Sequence, residues 1–395
     1  MIQGGIIHPI SSESFEDGYI IIKNGKILDM GTHGPSGKVK ENMEIHHYEG
    51  KHILPGLIDA HTHLGILEEN TGERGKDNNE TSSPLVPQLR ALDGVNPNDI
   101  GFSDAIRAGV TTVMTGPGSK NPVGGMSLAM KTWGKVIDEM VIKCPAGLKL
   151  ALGENPMTAH GGANKAPVTR MGTAALIREM FLRAQDYERL KKKGRLEYRE
   201  LGMEALSAVL DGEIPVRVHA HRADDIVTAI RLAEEFGLRL IIEHGTEGYL
   251  IRDYLRKKNT AVAVGPMLTP RDKMELENRS YDTARELAEA GVKIALITDH
   301  PYNSIEHLRL SAIIAHREGL DEKTALEAIT INPAGMLNIS HRTGSLEKGK
   351  DADIIVMNGH PLDMDSRVEY VYIDGRLVYG SRAEADGHGV KRKMY

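Results

Sequence analysis

His61 and His63 stand one residue apart in DAHTHLG, directly after the apolar run HILPGLI. A second pair, His219 and His221, stands in VHAH. On a β-strand, residues i and i+2 share a face, so either pair can present two imidazoles to one ion. Spacing alone is weak: chance placement of 17 histidines in 395 residues supplies about 0.7 such pairs. Context carries more. His61 and His63 end one apolar run, His219 ends PVRVHA, His244 ends LRLIIEHG and Asp299 ends VKIALITD. Taken singly, His63 or His244 reads as a hydrogen-bonded structural histidine, and Asp299 as the N-cap of a following helix. Four histidines and an aspartate, all ending apolar runs, read together as a metal site. Imidazole and carboxylate suit one or two divalent ions, zinc first, with iron, manganese, nickel or cobalt also suited. The single cysteine, Cys144, excludes a thiolate-rich metal site and an internal disulfide framework.

The elements that must hold these residues read as alternating strands and helices. Candidate strands are HILPGLIDA, GVTTVMTG, GLKLALG, PVRVHA, LRLIIEHG, TAVAVGP and VKIALITD, with an eighth hidden in GGMSLAMKTWGKVIDEMVIK. Between them, Leu176, Met180, Ala184 and Tyr187 recur at helical spacing, as do Ile226, Ile230, Ala233 and Phe236 before Gly237. Doubly buried strands alternating with helices indicate parallel βαβ units, and about eight of them suit a (β/α)8 TIM-type barrel, whose chemistry sits at the C-terminal strand ends. An open doubly wound sheet is the alternative, weakened because GPGSKNPVGG opens no recognisable helix. Both chain ends read as β. Asn24-Gly25 and Asp374-Gly375 each sit between apolar runs, a strong hairpin signal. The expected organisation is a small β-sandwich domain of residues 1–52 plus 340–395 around a barrel of residues 53–339.

GLIDAHTHL, VRVHAH, IIEHGTE and ALITDH, framed by GSLEKGKDADIIVMNGHPLD and VYIDGRLVYG, resemble the amidohydrolase superfamily over nearly the whole chain. The resemblance is closest to the imidazolonepropionase-like hydrolases. It implies a metal-containing barrel with a sandwich built from both ends. It also implies His61, His63, His219 and His244 as metal ligands, and Asp299 as ligand and general base. Relatives with two metals bridge them through a carbamylated lysine or a glutamate. Here Lys149 and Glu154, in AGLKLALGENP, are the alternatives, and Glu154 is favoured by its place at the strand end. Regular alternation would point the two to opposite faces, unless a bulge intervenes.

The expected chemistry is hydrolysis of a C–N bond in a cyclic or linear amide. Metal-activated water is the nucleophile, Asp299 moves the proton, and the metal, His221 or His244 polarises the carbonyl. Dipeptides, acylated amino acids and imidazolone-type rings are candidate substrates. An amino-heterocycle would make the protein a deaminase, and a non-catalytic barrel scaffold is the remaining alternative. Substrate loops are expected at residues 65–88 and 154–172, with Arg170, Lys165 and Arg222 available to an acidic substrate. A net charge of −6 gives no reason to expect nucleic acid or an anionic membrane. With no apolar run near 18 residues, the expectation is a soluble, cytoplasmic protein acting on a small molecule, with a homo-oligomer among the forms to be expected.

Overall fold

Eight strands form one sheet, lying side by side in the order in which they occur in the chain. The computed structural model describes residues 1–32, 43–162 and 165–380. The strands are β1 (Leu57–Thr62), β2 (Val110–Thr115), β3 (Val123–Lys131), β4 (Val141–Ala151), β5 (Val216–Ala220), β6 (Leu240–His244), β7 (Ala261–Val264) and β8 (Ile294–Leu296). Every residue of β1, β2 and β5 is buried, as strands covered on both faces must be. The two edges meet. His63 N–H donates to His300 O at 2.8 Å and Asp299 N–H to His61 O at 3.2 Å, leaving the sheet nearly closed into a barrel. Its interior near the site is lined by Ala60, Ile241, Ala263, Ala295 and Ile297.

The uniformly parallel barrel needs one correction. β3 is the strand sought in GGMSLAMKTWGKVIDEMVIK, and it runs antiparallel to both β2 and β4. Only residues 116–122 join β2 to β3, and a parallel return needs a crossover of about a dozen residues or more. A second correction concerns HILPGLIDA, which is two strands. His52–Pro55 joins a small sheet and Leu57–Thr62 opens the barrel. Gly56 separates them where a Cβ would overlap Thr111. The helices follow the apolar spacing. Ala223–Phe236 buries Ile226, Ile230, Ala233 and Phe236 and ends at Gly237, with φ 68°. Arg170–Lys192 buries Ile177 where the spacing pointed to Leu176, together with Met180, Ala184 and Tyr187.

Two smaller sheets use both chain ends. One pairs Lys26–Thr32, Gly18–Lys23, Ile2–Gln3 and His46–His47. The other pairs Arg376–Tyr379, Val368–Ile373, Ile354–Met357, His52–Pro55 and Ile6–Ile7. Ile2, Ile7, Ile20, Ile53, Ile354 and Tyr372 share one core. Asn24 and Gly25 have φ of 52° and 77°, Asp374 and Gly375 of 48° and 72°, the positive pair that a type I′ turn demands. Lys131, at the end of β3, contacts Asp353 and lies 3.0 Å from Asp351, tying the barrel to the C-terminal segment. Residues 33–42 and 381–395 of the expected terminal domain, and Ala163 and Asn164 of the second expected substrate loop, lie outside the described residues. Among the described residues no helix is long and apolar enough to cross a membrane.

Candidate metal centre

The strand ends converge on a cavity of about 510 Å³ lined by His61, His63, His219, His221, His244 and Asp299. β1 supplies His61 and, one residue past its end, His63. β5 supplies His219 and leads to His221, and β6 ends in His244. Asp299 follows β8 by three residues. Two of these positions break strand regularity. His244 has φ 74° and Asp299 φ 57°, a left-handed conformation uncommon for residues other than glycine. At His244 the turn lets the imidazole reach the mouth although the preceding residue, Glu243, is fully buried.

The hydrogen-bond partners of the rings sort their roles. His63 Nδ1 lies 2.7 Å from Gly116 O, and His244 Nδ1 lies 2.8 Å from Gly265 O. A carbonyl only accepts, so each Nδ1 carries the proton and each neutral ring offers its Nε2 lone pair. His221 Nδ1 lies 2.7 Å from Thr246 Oγ1, and a hydroxyl can donate as well as accept. His221 can therefore turn an Nε2–H toward the cavity, which His244 in its neutral form cannot. His219 Nε2 lies 3.3 Å from Asn155 Nδ2.

Several buried atoms make no aligned hydrogen bond: His61 Nε2, His219 Nδ1 and Asp299 Oδ1, and also His61 Nδ1, which nonetheless lies 2.8 Å from Glu243 Oε1. His61 Nε2 stands 2.9 Å from Asp299 Oδ1, and His63 Nε2 3.3 Å from the same oxygen. Buried polar atoms are rarely left unpaired, because each forgoes the hydrogen bonds it had in water. Atoms aimed at one another without hydrogen-bond alignment suit a shared cation. Two donor sets have atoms mutually within 4.8 Å: His61, His244 and Asp299, and His219, His221 and His244. Nitrogen and carboxylate donors of this kind fit a divalent transition ion.

The charge states of His219, His221, His244 and Asp299 agree with that use. Burial holds His219 and His221 well below the ordinary imidazole value and His244 at about 3, so all three are neutral at pH 7. Burial opposes the ionised Asp299, but the imidazoles of His61, His63 and His244 outweigh it and hold the carboxyl well below its usual range. Burial also opposes a charged His61, whose value is nonetheless raised, chiefly by Glu243.

The other expected residues are dispersed. Glu154 lines the cavity, at the start of a short helix, Glu154–Gly161. Lys149 lies deeper, buried in β4 and paired with Glu243. β4 shifts register against β3 between Leu148 and Leu150, so simple alternation cannot relate Lys149 to Glu154. Arg170 does not line the cavity. It donates to Asp225 Oδ2 at 3.1 Å and reaches Glu275 Oε1 at 3.5 Å. Arg222 does not line it either, because Asp224, in the first turn of the next helix, captures both guanidinium branches at 3.0 and 2.9 Å. Lys165 Nζ reaches Ser82 O at 3.3 Å. Of the loop 65–88, Asn79 is the lining residue.

The expected loop 154–172 contributes Asn155 to the wall, though sequence reasoning did not single it out, and that reasoning missed Lys120, Lys273 and Tyr302, which also line the cavity. Lys273 Nζ donates to Asn155 Oδ1 at 3.3 Å, and Tyr302 stands edge-on to His63, ring centres 5.9 Å apart. It also passed over Glu243, whose charge inside the apolar LRLIIEHG was a visible signal. Glu243 Oε1 is 2.8 Å from both His61 Nδ1 and Arg217 Nε.

The comparisons agree with the architecture. The sequence pattern of the amidohydrolase family matches residues 52–378. An amidohydrolase from Thermotoga maritima MSB8, known from its crystal structure, is 44% identical, with a TM-score of 0.92 over 96% of this chain and 99% of that one. The imidazolonepropionase of Streptococcus sanguinis is 26% identical over 94% of both chains. The amidohydrolase tasK of Hapsidospora irregularis is 27% identical over 92% of this chain, which spans only 40% of that protein's length. A prolidase crystallised with N-methylphosphonate-L-proline shares the fold at 19% identity, TM-score 0.63, covering 96% of this chain and 99% of that one. With more than four-fifths of its length matched, this chain belongs to the amidohydrolase family.

Proposed function

We propose that this protein is a metal-dependent hydrolase that cleaves a C–N bond in a cyclic or linear amide. The reading is carried by one observation: at the mouth of the barrel His61, His244 and Asp299, and His219, His221 and His244, each bring ligand atoms within 4.8 Å of one another, with His63 Nε2 3.3 Å from Asp299 Oδ1. His61, His63, His219, His244 and Asp299 would hold the ion, with Glu154 at hand should a second bind. A divalent ion in such a site supplies an acidified water and polarises an acyl oxygen. Asp299 takes the water's proton as its oxygen bonds to the acyl carbon. The same carboxyl delivers that proton to the nitrogen as the C–N bond breaks. His221 donates from Nε2 to the oxyanion, the role its Thr246 contact permits. Lys120 and Lys273 line the wall, the latter also 3.4 Å from Glu275 Oε2, and Lys120 is the cation best suited to a substrate carboxylate, as in an acylated amino acid or dipeptide. The barrel is the catalytic unit, residues 53–339. The two small sheets, within the described residues 1–32, 43–55 and 354–379, form a sandwich around their shared core.

The test is metal analysis of the gently purified protein, then a substrate screen of the zinc-loaded form. Zinc, or another divalent transition ion, at one or two per chain is expected, with turnover of N-acyl amino acids, dipeptides or cyclic amides. Release of ammonia from amino-heterocycles alone would replace amide hydrolysis by deamination. Failure to take up any transition ion would favour the scaffold reading.

A further inference from the structure

We propose that Glu243 is a positioning residue for the metal centre, fixing the orientation of His61 through Nδ1. The proposal rests on the metal-dependent reading above. Glu243 is fully buried and does not line the cavity, so substrate cannot reach it. Its carboxylate is flanked by two buried cations. Arg217 Nε donates to Oε1 at 2.8 Å, and Lys149 donates to Oε2. Both cations are themselves almost fully buried. Arg217 also donates to Ala60 O at 2.6 Å, on the residue preceding His61. The group is thus braced between β4, β5 and β6, and its Oε1 comes within 2.8 Å of His61 Nδ1 on β1.

This contact differs in kind from those behind the other rings. His63 and His244 rest on backbone carbonyls and His221 on a hydroxyl. Among the described rings of the site, His61 alone is backed by a carboxylate. A carboxylate behind a metal-bound imidazole fixes its tautomer and strengthens its donor atom, and losing such a partner weakens metal affinity by about 10–100-fold. Two bracing cations also answer why the carboxylate can lie there. An unpaired buried charge would be strongly unfavourable, whereas one held by Arg217 and Lys149 stays ionised with one oxygen available to His61.

The test is Zn2+ affinity, measured by chelator competition on the full chain. E243D keeps the charge but draws the carboxylate back by one C–C bond, roughly 1.5 Å. E243Q keeps the size but loses the charge. Each is expected to lower Zn2+ affinity about 10–100-fold. In an H61A background the same changes are expected to cost less than about threefold further, because the ring through which Glu243 acts is gone. If E243Q fails to fold around its two uncompensated cations, E243D and H61A/E243D carry the same cycle. Unchanged affinity in E243D, or a loss fully retained in the H61A background, overturns the proposal while leaving the metal site standing. A wild-type chain that binds no Zn2+ overturns both.

Discussion

Replacing Asp299 by asparagine probes the proposed chemistry with little disturbance to the fold. The residue has φ 57°, where alanine would be strained and asparagine is tolerated. The amide keeps the volume and loses the charge. Asp299 Oδ1 stands 2.9 Å from His61 Nε2 and 3.3 Å from His63 Nε2 without making a hydrogen bond to either. The substitution therefore removes no aligned hydrogen bond from that oxygen. What it removes is an ionised group able to take a proton and an anionic donor to the proposed ion, so the comparison is made on zinc-saturated protein. General base catalysis contributes about 10²–10⁴-fold, equivalent to about 2.7–5.4 kcal/mol of transition-state stabilisation. Lys120, Asn155 and Lys273 still line the wall, so ground-state binding is left alone. The expected signature is a kcat and a kcat/KM that fall together by that factor in protein saturated with zinc, with KM little changed. Steady-state kinetics beside metal analysis of the same samples makes the measurement. Full activity at full metal content would refute the assignment of Asp299 as base. A rise in KM with kcat intact would place it in substrate binding instead.

Three further outcomes follow from other parts of the molecule. His8 packs against His52 and Ser14, and its value is depressed to about 4 by burial and then by His52 and His360. The unfolded chain takes up that proton first, so stability is present above pH 6.5 and is lost as pH falls toward 4, by at most about 1.4 kcal/mol per pH unit before solvent screening. H8N should melt less steeply with acidification than wild type between pH 7 and 5, and parallel curves would count against the account. Gly153 has φ 81° and a Cβ there would strike the Glu275 carboxylate, which accepts from Glu154 N–H at 2.7 Å. G153A should cost about 1–3 kcal/mol in denaturant melts and depress activity by displacing Glu154 and Asn155. Arg222 pairs with Asp224 away from the cavity, so R222A should leave KM for anionic substrates within about twofold and stability within about 0.5 kcal/mol. A large KM effect would return Arg222 to the site.

Much of the fold was legible because its signals are local. Asn24-Gly25 and Asp374-Gly375 announce hairpins through the backbone conformation that they alone readily adopt. The apolar runs announce buried strands, and their terminal histidines announce a common rim. The direction of β3 was illegible, because it follows from the length of residues 116–122 and not from any pattern within the strand. The two-residue period also fails where it matters most. His244 and Asp299 leave it through positive φ, and β4 through a shift of register. The atoms that set the ring tautomers, Gly116 O and Gly265 O, belong to backbone and have no side-chain signature at all. Arg170 and Arg222 misled for a related reason. A cation near a strand end draws attention, while the acids that neutralise it are identified only by the fold.

The barrel interior beneath the rim carries an argument of its own. Lys149, Arg217 and Glu243 are buried there, beside the apolar positions Ala60, Ile241 and Ala263. An ion group in such a place is seldom the most stable filling, and hydrophobic replacements of similar volume are often neutral or stabilising by about 1–4 kcal/mol. Stability alone therefore does not explain it. The trio gains its sense from its neighbours. Arg217 grips the backbone at Ala60, Glu243 stands behind His61, and Glu243 and His244 occupy consecutive positions that face the interior and the mouth. Strands β1, β4, β5 and β6 are thereby linked through charge at the level just below the ligands. A layer of aliphatic side chains would pack as well, yet it would leave the His61 ring free to turn about its own bond. In the proposed role, the carboxylate 2.8 Å behind Nδ1 would hold that rotation, which a site requiring several donors to point at one spot cannot leave loose.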